Sequence, residues 1–272
     1  YELDNNYWAK NIPVKKGTEN FSVIKYEYYK DRSIEREAFK SGDIDFFNEN
    51  SSKDWATSYK IPAVKNKLII KELIEHENPQ GMQGFVFNTR KEIFKNKNVR
   101  KALSLAFDFE WTNKNLFYDA YKRTNSFFEN SELASSELPK GKELEYLRAY
   151  MDILPKEIFT EVYKTSKTDG SGFIRLELQK ATNLLKDSGW NLIEGKLINN
   201  KTRKKFKFEI LLVSPAFERI VLPFKDNLEK LGIDVNVRTV DSAQYQNRLN
   251  TFDFDMIVNT FSQSLSPGNE QK

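Results

Sequence analysis

The sequence contains no cysteine and a single histidine, His76. The missing thiols exclude disulfide bonds and thiolate zinc sites, and a Ser-His-Asp type of catalytic centre would depend on His76 alone. Neither the dinucleotide pattern G-x-G-x-x-G nor the phosphate-binding pattern G-x-x-x-x-G-K-[ST] occurs. These absences favour a protein that uses no metal and no organic cofactor.

Long apolar runs are absent as well. No stretch approaches the roughly 18 apolar residues that a membrane span needs. The first residues, Tyr1-Glu2-Leu3-Asp4, lack the basic and apolar regions of a signal peptide, so we expect none in this chain.

The formal charge of +4 is small, and lysine greatly outnumbers arginine, which argues against a nucleic-acid-binding groove. The densest basic run, 201–207, follows a turn-like step and is interpreted as a solvated hairpin rather than a phosphate site.

What is present, 39% hydrophobic residues with 21 Phe and 12 Tyr, predicts a globular core. In the last third, strands are predicted at 206–213, 233–240 and 254–261. Helices are predicted between them, the first beginning at Ser214-Pro215 and ending at Gly232, the second capped by Asp241 or Ser242. Strands joined by helices through short connections pair in parallel, so the predicted fold class is α/β.

The earlier part of the chain gives a mixed pattern. Alternating apolar and aromatic residues predict strands at 21–29, 44–47 and 67–73, and the apolar run Phe85-Val86-Phe87 predicts another. Helices are predicted at 33–40, ended by Gly42, from Asn96 onward, and at 144–150 and 176–187. The ranges 48–62 and 125–139 are predicted to be irregular, and the length of the second is typical of a binding loop.

Five phenylalanines adjoin polar residues at predicted strand ends or in the long loop, where they would suit the apolar walls of a ligand cleft. They are Phe85, Phe87, Phe127, Phe128 and Phe261. Core packing is the alternative for each of them.

His76, between Glu75 and Glu77, is interpreted as a surface or strand-end residue rather than a metal ligand. The carboxylate pair Asp253 and Asp255 leaves acid–base catalysis as an alternative.

Several stretches, taken in order, resemble the ABC-transporter solute-binding proteins for oligopeptides, dipeptides and nickel, known as extracytoplasmic solute-binding protein family 5. The stretches are 5–8, 24–45, 87–108, 181–190 and 228–233. The final stretch, 261–271, resembles the YejA-type branch of this family. The resemblance implies a periplasmic binding protein-like type II fold with two lobes. Residues 1–86 would be the late part of lobe one, and residues 87–272 would be lobe two, incomplete at its C-terminal end.

The same resemblance implies a periplasmic carrier, not an enzyme, that captures peptides or peptide conjugates and delivers them to an ABC permease with its ATPase. A carrier of sugars or siderophores, or a fragment without a transport function of its own, are the alternatives. Many peptide-binding relatives hold the ligand's terminal ammonium group with an Asp just after the strand that corresponds to 254–260, but this sequence reads Phe261-Ser262-Gln263 there. Our hypothesis is that the ligand-binding residues are Phe85, Phe87, Asn88, Phe127, Phe128, Phe261, Ser262 and Gln263.

Overall fold

A computed structural model describes residues 1–269 of the chain, which divide into two units. Unit 1 is Tyr1–Leu73, and unit 2 begins at Ile74. The boundary predicted at 86/87 would cut the strand Met82–Phe87, which pairs along its whole length with a second strand of unit 2. That pairing explains why the structural boundary lies earlier. The assignment of residues 1–86 and 87–272 to two lobes stays a prediction, and Glu270, Gln271 and Lys272 lie outside the described residues.

Unit 1 contains three helices. They are α1 (Arg32–Ser41), α2 (Ser52–Thr57) and α3 (Pro62–Lys65). The first confirms the helix predicted at 33–40: the Asp31 carboxylate accepts the N–H groups of the first turn, and Gly42 ends the helix at φ +90°. Only glycine adopts such a left-handed backbone without strain, which is why the helix stops there.

The prediction of strands in unit 1 is wrong for all three ranges, 21–29, 44–47 and 67–73. These segments belong to no strand, and the only ladder contact is an isolated bridge between Glu2 and Val23. The prediction of an irregular 48–62 range is also corrected, because α2 and the start of α3 fall within it. A strand is stable only beside a partner, whereas a helix satisfies its own hydrogen bonds, and α1 forms for that reason.

Unit 2 contains a four-stranded sheet and a separate hairpin. Its strands are β1 (Met82–Phe87), β2 (Trp190–Ile193), β3 (Lys196–Asn199), β4 (Lys207–Leu212), β5 (Asp234–Thr239) and β6 (Met256–Phe261). The sheet order is β1-β6-β4-β5, and β2 pairs with β3 in the hairpin. Strand β4 runs parallel to both neighbours, and β1 runs antiparallel to β6. The parallel α/β arrangement predicted for the last third is therefore confirmed.

The helices of unit 2 are α4 (Glu92–Lys95), α5 (Lys97–Leu105), α6 (Phe109–Leu116), α7 (Gly141–Arg148), α8 (Glu157–Thr160), α9 (Arg175–Asp187), α10 (Glu218–Lys230) and α11 (Ser242–Asn250). The helices predicted from Asn96 and at 176–187 are confirmed as α5 and α9. Ser214 caps a 3-10 turn, Pro215–Phe217, that leads into α10, and Asp241 caps α11. Within residues 1–269, no helix combines the length and apolar character needed to cross a membrane.

The core of unit 2 lies on both faces of the sheet. On one face, α5, α9 and α10 pack their apolar residues against the sheet, with Phe206, Ile210 and Leu228 excluded from solvent. On the other face, a smaller cluster joins Leu211 and Ile257 to α11. Because side chains alternate along a strand, β4 sends Ile210 into the first cluster and Leu211 into the second. This packing holds the strand ends in fixed positions.

Candidate functional site

The order of the strands marks one edge of the sheet as the place for a ligand. The chain passes from β4 through α10 to β5 on one side, then through α11 to β6 on the other side of β4. The first connection leaves the carboxyl end of β4, the second leaves that of β5, and their helices cover opposite faces of the sheet. In open α/β sheets, ligands bind in the crevice at such a switch point. The carboxyl ends of β4 and β6 are the candidate site.

A cleft of about 260 Å³ lies at this edge. Its lining comes from the carboxyl ends of β4 and β6, the start of β1, the 3-10 turn and α11. The lining residues are Gln83, Leu212, Val213, Phe217, Tyr245, Val258, Asn259 and Thr260. The mixture of apolar walls and a few polar side chains is typical of small-ligand sites.

Two side-chain hydrogen bonds fix the polar groups of this cleft. The Gln83 amide donates to Thr260 Oγ1 at 3.2 Å across the β1–β6 pair. The Tyr245 hydroxyl donates to the carbonyl of Val258 at 3.1 Å. Burial raises the pKa of Tyr245, so its hydroxyl stays neutral and remains a donor at neutral pH. The cleft therefore presents neutral polar groups.

An aromatic pair lies at the carboxyl end of β6. The rings of Phe127 and Phe261 meet edge to face, with centroids 5.6 Å apart and an interplanar angle of 85°. Phe127 is 48% exposed and Phe261 is 38% exposed, so the pair presents apolar surface to solvent. Ser262, exposed, and Gln263, half-buried, follow directly. Edge-to-face rings and adjacent polar side chains form a surface that suits an amphipathic ligand.

The loop that carries Phe127 is fastened to the segment before β1. The carbonyl of Glu129 accepts the Gln80 N–H at 2.7 Å. The Asn130 amide donates to the carbonyls of His76 and Asn78 at 2.7 and 3.0 Å. These bonds explain how a range without regular secondary structure, as the sequence predicted for 125–139, holds Phe127 beside the end of β6.

Comparison with known proteins identifies the family. The family model of bacterial extracellular solute-binding proteins, family 5 Middle, matches residues 1–271. The chain belongs to the family 5 solute-binding proteins. The predicted resemblance is thereby confirmed.

Two relatives from Agrobacterium fabrum match the whole chain of this family 5 protein. The probable peptide-binding protein YejA is 42% identical over 273 residues, covering 100% of this chain and 44% of the relative. The peptidoglycan-binding protein YepA is 38% identical over 279 residues, covering 100% of this chain and 45% of the relative. The chain thus spans less than half the length of these relatives.

A solved structure supports the fold. The oligopeptide-binding protein AppA from Bacillus subtilis, solved with a nonapeptide, is 22% identical, with a TM-score of 0.61 over 86% of this chain and 40% of AppA. At this identity the likeness concerns the fold alone. The predicted periplasmic binding protein-like fold, present in part, is confirmed for this family 5 chain.

The structure does not bring all of the predicted ligand-binding residues together. Phe85 stacks on Phe224 with centroids 4.9 Å apart, and Phe87 contacts Phe94 at 5.2 Å, so both rings pack on the core of this family 5 chain. Asn88 is buried. Phe128 is half-buried in the long loop. The ligand-binding role of these residues stays a prediction, while Phe127, Phe261, Ser262 and Gln263 lie at one end of β6.

Sequence reasoning missed the cleft residues Gln83, Tyr245 and Thr260. The alternation along β6 was a usable signal, because Thr260 lies on the same side of the strand as Val258, which packs on the core. The position of Gln83 in the cleft can be inferred from that of Thr260 only when the β1–β6 register, which pairs the two residues, is known. Tyr245 belongs to α11, and its contact with β6 depends on how that helix packs.

The residues considered for other chemistry have structural contacts. His76 Nδ1 accepts the Asn78 N–H at 3.2 Å in the exposed segment before β1. Asp255 Oδ2 accepts the backbone N–H of Glu209 at 2.9 Å, and Asp253 pairs with Arg248 at 3.3 Å. Within residues 1–269, no three His, Asp or Glu side chains are grouped so that they could hold a metal ion. Asp255 thus holds the backbone of β4, and Asp253 pairs with a residue of α11.

A pH-dependent change is expected in the loop that carries Phe127. Burial alone would raise the pKa of Glu129, but the Asn125 N–H and the Lys122 ammonium group donate to its carboxylate, and the net effect lowers the pKa. A lowered pKa in the folded state stabilises the loop above the pKa of the unfolded chain, and this stabilisation is lost as pH falls. We expect amide exchange at 125–135, corrected for intrinsic rates, to accelerate below about pH 4.3.

The variant Glu129→Gln should lose most of this pH dependence, because its amide does not titrate. The matched control is Glu132→Gln, which alters an exposed carboxylate of the same loop. It should keep the pH dependence of the unmodified chain. An unchanged pH profile in Glu129→Gln would contradict the assignment.

Proposed function

We propose that this chain is part of the substrate-binding component of an ABC importer, which captures peptides or peptide conjugates between two lobes and delivers them to an inner-membrane permease served by an ATPase. The observation that carries the proposal is the family 5 match over residues 1–271. The name of the 42% identical relative, probable peptide-binding protein YejA, supports peptides as the ligand class. The location that follows is periplasmic.

The site at the carboxyl ends of β4 and β6 suits capture without chemistry on the ligand. Phe127 and Phe261 offer apolar surface, and Ser262 and Gln263 offer neutral hydrogen-bonding groups. Hydrogen bonds to a peptide main chain strengthen when closure excludes bulk water, because the local dielectric falls. Ligand contacts made only in the closed state shift the population toward it. A carrier of this kind is not an enzyme.

The residues after β6 also bear on which peptides bind. The sequence Phe261-Ser262-Gln263 carries no carboxylate to pair with a ligand ammonium group. A neutral site does not offset the desolvation of an unpaired charge. We therefore expect ligands that place a neutral group, rather than a free amine, beside Ser262 and Gln263.

A second candidate ligand class is a cell-wall fragment that combines sugar and peptide. The observation that favours it is the name of the 38% identical relative, the peptidoglycan-binding protein YepA. Such a ligand would also use an aromatic surface and neutral polar groups, since sugar rings stack on aromatic faces and hydroxyls pair with amides.

The triple variant Phe261→Ala, Ser262→Ala, Gln263→Ala, made in the full-length protein, tests the site. We expect peptide affinity, measured by calorimetry, to fall at least about tenfold, which corresponds to about 1.4 kcal/mol. The matched control is Phe173→Ala, which removes an exposed phenylalanine elsewhere in unit 2 and should leave affinity unchanged. Unchanged affinity in the triple variant would make the site assignment wrong.

Native mass spectrometry of the full-length protein, as purified, tests the ligand class. We expect a heterogeneous set of bound peptides that is absent from this 272-residue chain, because the chain carries only part of the site. Masses of sugar-containing fragments would instead support the second candidate. If neither protein retained or bound added peptides, peptide import would be rejected while the family assignment stood.

A further inference from the structure

We propose that residues 196–207 of unit 2 form a docking surface for anionic lipid headgroups, at the edge of the sheet opposite the candidate ligand cleft. These residues are called the basic segment below. The inference goes beyond the proposed function and needs no bound peptide, so the two can fail separately.

The basic segment concentrates the positive charge of the protein. It contains six cations and no carboxylate, whereas the whole chain has a formal charge of +4, so the remaining residues together are net negative. Clusters of about four to eight lysine and arginine residues are typical of surfaces that bind anionic lipid. All six cations are exposed: Lys196, Lys201, Arg203, Lys204, Lys205 and Lys207.

The charge of the basic segment is not neutralised within the described part of the chain. Among residues 1–269, no ion pair includes any of the six cations. Two carboxylates adjoin the segment: Glu194 precedes it by two residues, and Asp234 is paired in register with Lys207. The cations outnumber both. Where the sequence favoured a solvated hairpin at 201–207, this excess of unpaired charge favours an anionic partner.

A fixed backbone turn displays these cations. Asn199 Oδ1 accepts the N–H groups of Lys201 and Thr202 at 3.0 and 2.9 Å, and the Asn199 carbonyl accepts the Arg203 N–H at 2.9 Å. Phe206, within the same segment, is excluded from solvent and anchors the turn to the core of unit 2. Because the turn is already ordered, less conformational freedom is lost when it binds a surface.

The basic segment lies away from the candidate ligand cleft. Lys207 is the first residue of β4, whereas Leu212, at the other end of that strand, lines the cleft. At a rise of roughly 3.3 Å per residue, the two residues are about 16 Å apart. A protein that docks through the basic segment therefore keeps its cleft open.

The composition of the basic segment favours lipid over a protein partner. Five of its six cations are lysines. The compact charge and flexible stem of lysine suit mobile headgroups, whereas arginine suits fixed carboxylates through paired hydrogen bonds. Protein interfaces are enriched in arginine and aromatic residues and depleted in lysine. The aromatic residue of the segment, Phe206, is buried and so offers no contact to a partner.

Co-sedimentation of the full-length protein with lipid vesicles tests the proposal. We expect binding to vesicles of equal parts phosphatidylglycerol and phosphatidylethanolamine, and no binding to vesicles of phosphatidylcholine. Salt at about 1 M should release the protein, because it shortens the range of charge interactions to about 3 Å. A protein that does not bind the phosphatidylglycerol vesicles at low salt overturns the proposal.

The triple variant Lys201→Gln, Lys204→Gln, Lys205→Gln assigns the binding to the basic segment. We expect the vesicle partition coefficient to fall at least about 30-fold, because each cation near an anionic surface strengthens binding about fivefold. The melting temperature should not change, since the three side chains are exposed. The variant Lys201→Arg, Lys204→Arg, Lys205→Arg keeps the charge and should bind like the parent.

The matched control is Lys114→Gln, Lys142→Gln, Lys164→Gln, which removes the same charge at exposed positions elsewhere in unit 2. It should keep most of the vesicle binding. Equal losses in the two glutamine variants would mean that net charge alone attracts the protein, and they overturn the proposal. Retention of the parent on polyglutamate beads without vesicle binding overturns it in favour of an acidic protein partner.

Discussion

Replacing Asn88 by Ala should lower the free energy of unfolding of unit 2 by about 2–4 kcal/mol, because each buried polar group left without a partner costs about 1–3 kcal/mol. The Asn88 amide donates to the carbonyls of Phe252 and Phe254 at 3.0 and 2.8 Å, and its oxygen accepts the Arg90 N–H at 3.1 Å. These bonds join the end of β1 to the turn before β6. Urea unfolding followed by tryptophan fluorescence measures the loss.

Two further variants sharpen this prediction. Asn88→Asp keeps the acceptor for Arg90 but removes both donors and turns a carboxylate toward two carbonyls, so it should cost at least as much. Thr89→Ala, at the exposed next position, should stay within about 0.5 kcal/mol of the parent.

The same variants bear on the predicted ligand-binding role of Asn88. A full-length Asn88→Ala protein that kept its stability and lost peptide affinity would support that role. It would also contradict the structural role inferred from the hydrogen bonds. We expect the reverse: a less stable protein whose folded fraction binds normally.

Local signals were sufficient to predict most of unit 2. Ser214 with Pro215 marked the start of a helix, Asp241 marked another, and Gly232 marked an end, each through a hydrogen bond or backbone conformation within a few residues. The strands between these helices were correct because each has a partner within the chain. Right-handed connections then fixed the parallel pairing.

In unit 1 the same kind of signal failed for strands and succeeded for a helix. The alternation at 21–29 is as clear as that of β6, yet no strand forms. The alternation of apolar and polar residues predicts which side chains are buried in a sheet. Whether the strand forms depends on hydrogen bonds to a partner strand elsewhere in the chain. The helix α1 was predicted correctly because Asp31 and Gly42 act within its own turns.

The candidate site shows the same division between local and distant information. Phe127 and Phe261 were both selected from sequence, but their edge-to-face contact depends on a loop fastened through Asn130 to the segment before β1. Phe85 was selected for its place near a strand end, and its register beside Val258 turns it toward the core instead. A shift of one residue along a strand moves a side chain from one face of the sheet to the other, and so from a cleft wall to the core. Amino-acid composition does not show which face a residue occupies.

Replacing Gly232 by Ala should lower the free energy of unfolding by about 2–5 kcal/mol, combining left-handed backbone strain of about 1–2 kcal/mol with overpacking of about 1–3 kcal/mol. Gly232 has φ +80°, and a Cβ there would lie 2.4 Å from Leu192 Cδ1 and 2.9 Å from the Leu197 nitrogen. The leucine side chain can move, but the Leu197 N–H donates to the Gly232 carbonyl at 2.7 Å, which fixes the hairpin backbone against the end of α10.

The matched control is Gly189→Ala, at the end of α9. Gly189 has φ +84°, almost the same backbone conformation, but a Cβ added there would meet no atom of a non-adjacent residue within 4 Å. The Gly189→Ala variant should therefore lose free energy of unfolding only through backbone strain, about 1–2 kcal/mol. The difference between the two variants, read from urea unfolding, measures the close approach of the β2–β3 hairpin to α10. Equal losses would mean that the hairpin yields, and the fluorescence of Trp190, which packs on Phe206 with centroids 4.6 Å apart, would then change in the folded Gly232→Ala protein.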